Sequence, residues 1–179
     1  ALKKYKNKKK IWHISGWNWN MNFPKTDYDC FFMRYATCWG WGTWNDRWRY
    51  FEKKPSDLIK KFKDFEIKRF NLDNSYNFWS QVIRNKNKTI KTWAIFWYAT
   101  IFKKKGLSLN PLNSLVLNIG DDSYATNTLY KINKKFFFND KLPNKYPKKI
   151  VEDKILLNFI KFQLKPTLIK KIFQNFSKL

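Results

Sequence analysis

Cysteine, histidine, glycine and acidic residues are all scarce in this chain of 179 residues. It contains 2 cysteines, 1 histidine, 5 glycines and 13 acidic residues. Two thiols, Cys30 and Cys38, are too few for a disulfide framework, and no Cys/His clustering indicates zinc. Any Ser/His/Asp or Cys/His catalytic set would have to use His13, which we expect to be a core or edge residue of a strand. We therefore expect a reducing, cytoplasmic compartment.

Long apolar runs are missing as well. No stretch of 18 apolar residues is present, so we expect no membrane span. The first ten residues, ALKKYKNKKK, are basic but lack the apolar stretch of a secretory signal.

Positive charge and aromatic rings are abundant instead. Lys and Arg number 37, the formal net charge is +24, and aromatic residues make up 20% of the chain. Such a charge attracts nucleic acid, acidic lipid headgroups or nucleotide phosphates. An AT-rich coding bias, with much of the lysine as solvated surface, explains the composition equally well. The rings could also form a single-strand nucleic-acid surface, but Trp93 and Trp97, four residues apart, have the spacing of a helix core. We do not expect nucleic acid to be the partner.

Hydrophobic periodicity predicts a mixture of short strands and helices. IWHISGWNW alternates and predicts a strand that ends near Gly16, and DCFFMRY predicts a short strand or turn. Helices are predicted after Ser56 as N-cap, in NSYNFWSQVIRNKNK, and from Trp93 to Phe102 with Gly106 as the C′ residue. LSLNP after that helix predicts another strand. The sequence therefore predicts an α/β fold with a small mixed sheet and flanking helices.

Residues 131–179 predict a basic linker and an amphipathic helical tail that is broken at Pro166. Its isoleucine, leucine and phenylalanine residues alternate with lysines, a pattern typical of helices that lie in an anionic bilayer interface. Packing of the tail on its own domain, with lysines outward, is an equally open interpretation. The first interpretation predicts a peripheral position at the inner face of a membrane.

The segment ATCWGWGTWNDRW, residues 36–48, spends two of the five glycines between tryptophans. Large rings separated by glycine suit a surface where something flat approaches the backbone. Sugars offer apolar C–H faces and dense hydrogen-bonding edges, so the segment predicts a sugar-binding site. The alternative is a core turn. The candidate residues are Trp39, Gly40, Trp41, Gly42 and Trp44.

The triplet Asp27-Tyr28-Asp29 has the DxD form that can hold a divalent metal against a sugar-nucleotide diphosphate. A cap for the turn before CFFMRY is the interpretation we favour. Neither interpretation is specific, because two aspartates with one residue between them are common in turns.

The order of four segments is more specific. They are IWHISGWNW, DYDCFFMRYATCWGWGTWNDRWRYFE, TWAIFWYATIFKKKGLSLNPLNSLVLNIG and ATNT. In that order they resemble ISGxxxP, FFxRxxxCWGWATWxxRW, SWAIRWYASxFxxxGLxLxPxxSLVxNIG and ATHT of a bacterial branch of the family 2 glycosyltransferases, which have the GT-A fold. The resemblance covers residues 1–128, and 1–130 would form the acceptor-side part of the domain.

The resemblance implies transfer of a sugar from a nucleotide-sugar donor to a cell-surface glycan, a lipid-linked acceptor or a protein. It implies a divalent metal, Mn²⁺ or Mg²⁺, in the complete enzyme, with no secure metal ligand in this chain. Asp46, just after the Trp/Gly segment, is the candidate catalytic base, and Asp121 and Asp122 are the alternatives. Further candidates are Trp93, Trp97 and Asn118 for substrate, and Asp121, Asp122 and Asn127 for the donor and metal side, with Asn127 standing where the family has histidine.

The resemblance also implies that the nucleotide-binding half, with its acidic cluster, precedes the segment that ALKKYK resembles. We therefore expect the chain by itself to be inactive, to depend on a second chain for that half, and to expose IWHISGW as an apolar strand edge. The competing hypotheses are a non-catalytic remnant that binds a membrane or a partner, and a basic nucleic-acid-binding protein.

Overall fold

The computed structural model describes residues 1–19, 21–117 and 141–165. Seven helices and four strands lie within these ranges. The helices are α1 Leu2–Tyr5, α2 Asn45–Trp48, α3 Pro55–Lys61, α4 Asp64–Phe70, α5 Trp79–Lys86, α6 Ala94–Lys103 and α7 Lys154–Leu164. The strands are β1 Ile11–Ser15, β2 Cys30–Met33, β3 Trp41–Gly42 and β4 Leu107–Pro111.

The chain divides into two compact units. Of the described residues, 1–19, 21–52, 97–117 and 141–153 form one unit, which we call the sheet unit, and residues 53–96 and 154–165 form the other, the helical unit. The boundary between them falls within α6. The domain boundary that we expected after residue 130 lies outside the described residues.

The sheet unit contains one mixed sheet with the strand order β2-β4-β1-β3. β1 and β4 run parallel, with Ile11 opposite Leu107 and Ile14 opposite Leu109. β2 is antiparallel to β4, and β3 is antiparallel to β1. The prediction of an α/β fold with a small mixed sheet is therefore confirmed, and β1 ends at Ser15, one residue before the expected Gly16.

We expected IWHISGW to be an exposed apolar strand edge, and this prediction is wrong. β1 is an inner strand, and Ile11 is 0% and Trp12 9% exposed, so this segment presents no apolar edge. The outer side of β2 is covered by residues 145–153, because the Asp29 N–H donates to the Lys145 carbonyl at 2.9 Å and the Asp153 N–H donates to the Phe32 carbonyl at 3.0 Å. Covering an edge strand in this way protects it against pairing with other chains.

An ion pair fastens the end of that covering segment. The backbone N–H and the Nε of Arg34 both donate to Oε1 of Glu152, at 3.1 and 2.7 Å, and Nη2 donates to Oε2. Both side chains are largely buried, so the fork-shaped guanidinium holds the carboxylate in one orientation.

We expected Gly106 to be the C′ residue of α6, and this prediction is wrong. Lys105, not Gly106, adopts the left-handed conformation, with φ of +53°. The Lys105 N–H donates to the Phe102 carbonyl at 3.0 Å and the Gly106 N–H to the Ile101 carbonyl at 2.9 Å, which is the Schellman pattern with Lys105 at C′. Gly106 is needed for space, since a Cβ there would lie 2.5 Å from Cδ1 of Trp12.

We expected Ser56 to be the N-cap of α3, and this prediction is also wrong. The helix begins at Pro55, and Lys54 occupies the N-cap without a capping side-chain bond. Ser56 is therefore the second helical residue and not the cap. Proline at the first helical position has a suitable φ and lacks only a donor that would be unpaired there in any case.

The helical unit has an aromatic core of its own. The rings of Phe62, Phe70 and Trp79 meet with centroids 4.7–5.7 Å apart. The Oδ1 atom of Asn71 accepts the backbone N–H of Trp79 at 2.8 Å, which fixes the start of α5 after the turn at residues 72–78.

We predict that Lys105→Gly stabilises the protein. A left-handed non-glycine residue costs about 1–2 kcal/mol, and the entropy that glycine gains in the unfolded chain offsets roughly half of this, so the free energy of unfolding should rise by about 0.5 kcal/mol. Urea unfolding measures it. Gly106→Ala is the matched control and should lower stability by about 1–3 kcal/mol through its clash with Trp12. Destabilisation by Lys105→Gly would contradict the assignment.

Candidate functional site

Three segments of the sequence meet at one point of the sheet unit. The Gly16 N–H donates to the Gly40 carbonyl at 2.6 Å, and the Leu115 N–H donates to the Gly16 carbonyl at 2.7 Å. A Cβ on Gly40 would lie 2.3 Å from Cγ2 of Val116. We call these four residues, Gly16, Gly40, Leu115 and Val116, the glycine junction. It brings together the segments ISG, WGW and NSLV.

The glycines serve the chain itself at this junction. Gly40 has φ of +53°, and a Cβ on Gly16 would lie 2.7 Å from the Gly40 carbonyl oxygen. A Cβ on Gly42 would lie 3.0 Å from Cδ1 of Leu2. We expected the glycines to admit a ligand to the backbone. In the structure the groups that approach the backbone are residues of the same chain, and a ligand role for Gly40 and Gly42 stays a prediction.

Trp39 is the most exposed ring of the Trp/Gly segment. It is 37% exposed, and it stands edge-on to Trp17 with ring centroids 4.8 Å apart and planes at 90°. Trp17 is only 8% exposed, so its buried ring supports the exposed ring of Trp39. Trp17 also meets Trp19 edge-on at 6.0 Å. The arrangement leaves part of one indole open to solvent beside the glycine junction.

Trp41 and Trp97 belong to a set of packed rings in which His13 and Trp97 are buried, Trp41 is half-buried and Trp48 is 36% exposed. Nε1 of Trp97 donates to Nδ1 of His13 at 3.1 Å, and the His13 ring stacks on Trp41 at 5.2 Å with planes 13° apart. Trp48 contacts Trp97 at 5.0 Å and Trp41 at 5.6 Å. We call His13, Trp41, Trp48 and Trp97 the ring cluster. Trp97 is 1% exposed. Its position therefore agrees with the interpretation of Trp97 as a residue of the helix core.

His13 is held neutral in this cluster. It is fully buried, and burial lowers its pKa to about 3, while the Thr37 backbone acts in the opposite direction. Because Nδ1 accepts the Trp97 proton, the neutral ring carries its own proton on Nε2. His13 is therefore a core residue in this structure, as its place on the strand predicted.

Asp46, the candidate base, is engaged by two cations. Nη1 of Arg47 donates to both of its carboxylate oxygens, at 2.6 and 2.8 Å, and Nζ of Lys9 donates at 3.0 Å. The hydrogen bonds from Arg47, and then that from Lys9, lower the pKa of Asp46 to about 2. A general base works best with a pKa near the operating pH, so this environment weakens Asp46 as a base, and its catalytic role stays a prediction.

Trp44 lies beside that ion pair. The guanidinium of Arg47, which is 3% exposed, lies 4.6 Å from the centroid of a Trp44 ring. Nη2 of Arg47 also donates to the Lys6 carbonyl at 2.9 Å. The half-buried Trp44 thus helps to hold the N-terminal segment against α2, through a cation–π contact.

Asp29 of the DxD triplet has a structural partner. Its Oδ2 atom accepts the backbone N–H groups of Asn144 and Lys145, both at 2.9 Å, and these bonds lower the pKa of its carboxyl group. Asp29 therefore binds a loop that lies 115 residues later in the sequence. It does not form the local turn cap that we favoured. Within residues 1–19, 21–117 and 141–165, no group of three or more His, Cys, Asp or Glu residues could hold a metal ion.

The remaining candidates are dispersed. Trp93 is 38% exposed and lies in the helical unit just before α6, so its expected place in a helix core is wrong. Both thiols are free, with Cys30 buried and Cys38 exposed. None of the helices that the structure describes is long and apolar enough to cross a membrane. Five predictions lie outside the described residues: Asn118, Asp121, Asp122, Asn127 and the helix break at Pro166.

Sequence reasoning missed Arg47, Trp17 and Val116. Arg47 stands directly beside Asp46, and an adjacent acid and base before a tryptophan is a signal that could have indicated a local ion pair. Val116 gave no signal of its own, because its contact with Gly40 joins residues that are 76 positions apart in the sequence. Only the folded chain shows which glycine faces which side chain.

Comparisons of the chain with protein-family models, with curated proteins and with solved structures return no significant match. The sequence motifs, the glycine junction and the rings around it are therefore the features that point to a function.

We predict that His13 makes stability depend on pH. Its pKa is lower in the folded state, about 3, than in the unfolded chain, 6.5, so the unfolded state binds the extra proton. Stability is then full above pH 6.5 and falls as the pH drops towards 3, by up to about 1.4 kcal/mol per pH unit.

Urea unfolding at pH 6.5, 5.5 and 4.5 measures this dependence. His13→Gln should flatten it, because glutamine keeps a hydrogen-bond acceptor but cannot titrate. Trp97→Phe, which removes the donor and keeps the histidine, should retain it. Equal slopes for the wild type and His13→Gln would show that His13 does not titrate as described.

Proposed function

We propose that this chain is the acceptor-side part of a GT-A glycosyltransferase that transfers a sugar from a nucleotide-sugar donor to a glycan, lipid-linked or protein acceptor. The observation that carries the proposal is the glycine junction. Three of the motif segments that resemble the family 2 glycosyltransferases are far apart in sequence, and they touch there through Gly16, Gly40 and Val116. A shared site is a simple reason for these segments to occur together.

The chemistry at this place suits a pyranose ring. Trp39 offers an open indole face or edge to the C–H groups of a sugar, and Trp17 fixes its position. Fixed aromatic rings beside polar backbone groups are the usual composition of a small-ligand site. Trp41 and Trp44 contribute by packing, through His13 and Arg47, and Trp39 is the ring that we assign to sugar contact.

The described residues offer a metal ion no group of three or more His, Cys, Asp or Glu side chains. The carboxylate of Asp29 is occupied by two backbone N–H groups, and that of Asp46 by Arg47 and Lys9. We therefore derive no metal-dependent step from this chain. The proposal assigns Mn²⁺ or Mg²⁺ and the nucleotide to the acidic cluster of a nucleotide-binding half that another segment or a second chain supplies.

We predict that Trp39→Ala weakens sugar binding without unfolding the chain. Losing one stacked ring should cost about 1 kcal/mol, a five- to tenfold rise in Kd. Indole N–H resonances of the ¹⁵N-labelled protein, which has 10 tryptophans, are recorded while methyl glucoside, methyl galactoside and methyl mannoside are titrated to high millimolar concentration. Loss of one peak in Trp39→Phe assigns the Trp39 signal.

Phe65→Ala is the matched control, because Phe65 is 67% exposed and lies in the helical unit. It should leave sugar binding and the melting temperature unchanged. If no glycoside moves the Trp39 resonance, or if Trp39→Ala binds as tightly as the wild type, the assignment of Trp39 to sugar contact is wrong.

We also predict that residues 1–179 alone do not transfer sugar. The purified chain is incubated with Mn²⁺ or Mg²⁺ and a panel of UDP-, GDP- and CMP-sugars, and release of the nucleotide is measured. Release at ordinary enzymatic rates, of about 1 s⁻¹ or more, would mean that this chain holds a complete donor site, and the proposed division of the enzyme would fall.

A further inference from the structure

Helix α7 has two apolar sides. Leu156, Leu157 and Ile160 are 1%, 5% and 0% exposed and form its buried side, whereas Ile155 and Phe162 are 75% and 74% exposed. Ile155 and Phe162 are seven residues apart, close to two turns of helix, so they share one face. We call this pair the outer face of α7. The helix therefore presents apolar side chains both to its own unit and to solvent.

The charged side chains of α7 itself all have one sign. Residues 154–165 contain three lysines and no acidic residue. Lys161 pairs with Asp73 at 2.7 Å, while Lys154 and Lys165 are exposed at the two ends of the helix. At 100° per residue all three lysines lie on one flank of the outer face. An apolar face with lysines along one flank matches a surface that combines hydrocarbon with negative charge.

We propose that α7 docks on an anionic membrane surface, with Ile155 and Phe162 inserted among the acyl chains and Lys154 and Lys165 at the headgroups. This is the geometry of an interfacial helix. Charge complementarity selects the partner, since the whole chain carries +24 and acidic lipids attract lysines at the surface. Nucleic acid satisfies the lysines but gives an aliphatic isoleucine no base to stack on.

The docking is weak and reversible. Two inserted side chains bury little area, and a few lysines add to it only near an acidic surface. Binding therefore requires anionic lipid and falls as salt rises. The proposal does not depend on the sugar site, because α7 and Trp39 belong to different units.

Sedimentation of the full chain with sucrose-loaded vesicles tests the proposal. One set of vesicles is phosphatidylcholine with 30% phosphatidylglycerol, and the other is phosphatidylcholine alone. The wild type should bind only the first set. Ile155→Ser combined with Phe162→Ser should lower the partition coefficient about tenfold, and circular dichroism should show an unchanged helix content. Leu142→Ser, at a position that is 78% exposed in the sheet unit, is the matched control and should bind like the wild type.

Two results would overturn the proposal. If the double variant binds the anionic vesicles as well as the wild type, attraction by net charge alone explains the binding and α7 does not insert. If neither protein binds vesicles while both bind a fluorescent single-stranded oligonucleotide at 150 mM salt, the basic surface serves nucleic acid instead. Trp39→Ala should sediment like the wild type, so failure here leaves the sugar-site proposal standing, and the reverse also holds.

Discussion

The buried hydrogen bond from Trp97 to His13 is the contact on which the sheet unit depends most. Trp97 lies on α6, His13 lies on the inner strand β1, and the His13 ring stacks on Trp41 of β3. The hydrogen bond therefore joins α6 to β1, and the stacking of His13 on Trp41 adds β3. Removing either partner would leave the other polar atom buried without a bond, which costs about 1–3 kcal/mol.

The scarcity of acidic residues has a structural counterpart. Asp29 holds the loop at Asn144, Asp46 pairs with Lys9, and Glu152 holds Arg34. Each of these carboxylates is committed to a contact that fixes two segments of the chain against each other. In a protein with 13 acidic and 37 basic residues, these three carboxylates serve as structural contacts between segments of the chain.

The proposed sugar site and the proposed membrane-binding helix share one feature, an exposed apolar side chain. In both, a large apolar side chain is exposed next to a buried one. Trp39 is held edge-on by Trp17, and Phe162 lies on a helix whose opposite side already packs. In each case the buried partner fixes the exposed group, so the exposed group is presented in a defined orientation.

The sequence by itself determined the elements that depend on local periodicity: the strands at IWHIS and CFFM, the helix through Trp97, and the α/β class with a small sheet. Only the tertiary structure decided that β1 is an inner strand, that Lys105 and not Gly106 closes α6, and that Gly40 faces Val116. The division has a physical reason. Periodicity and capping chemistry act between residues a few positions apart, whereas strand order, close backbone contacts and ion pairs such as Arg34–Glu152 join residues that are distant in the sequence and meet only when the chain is folded.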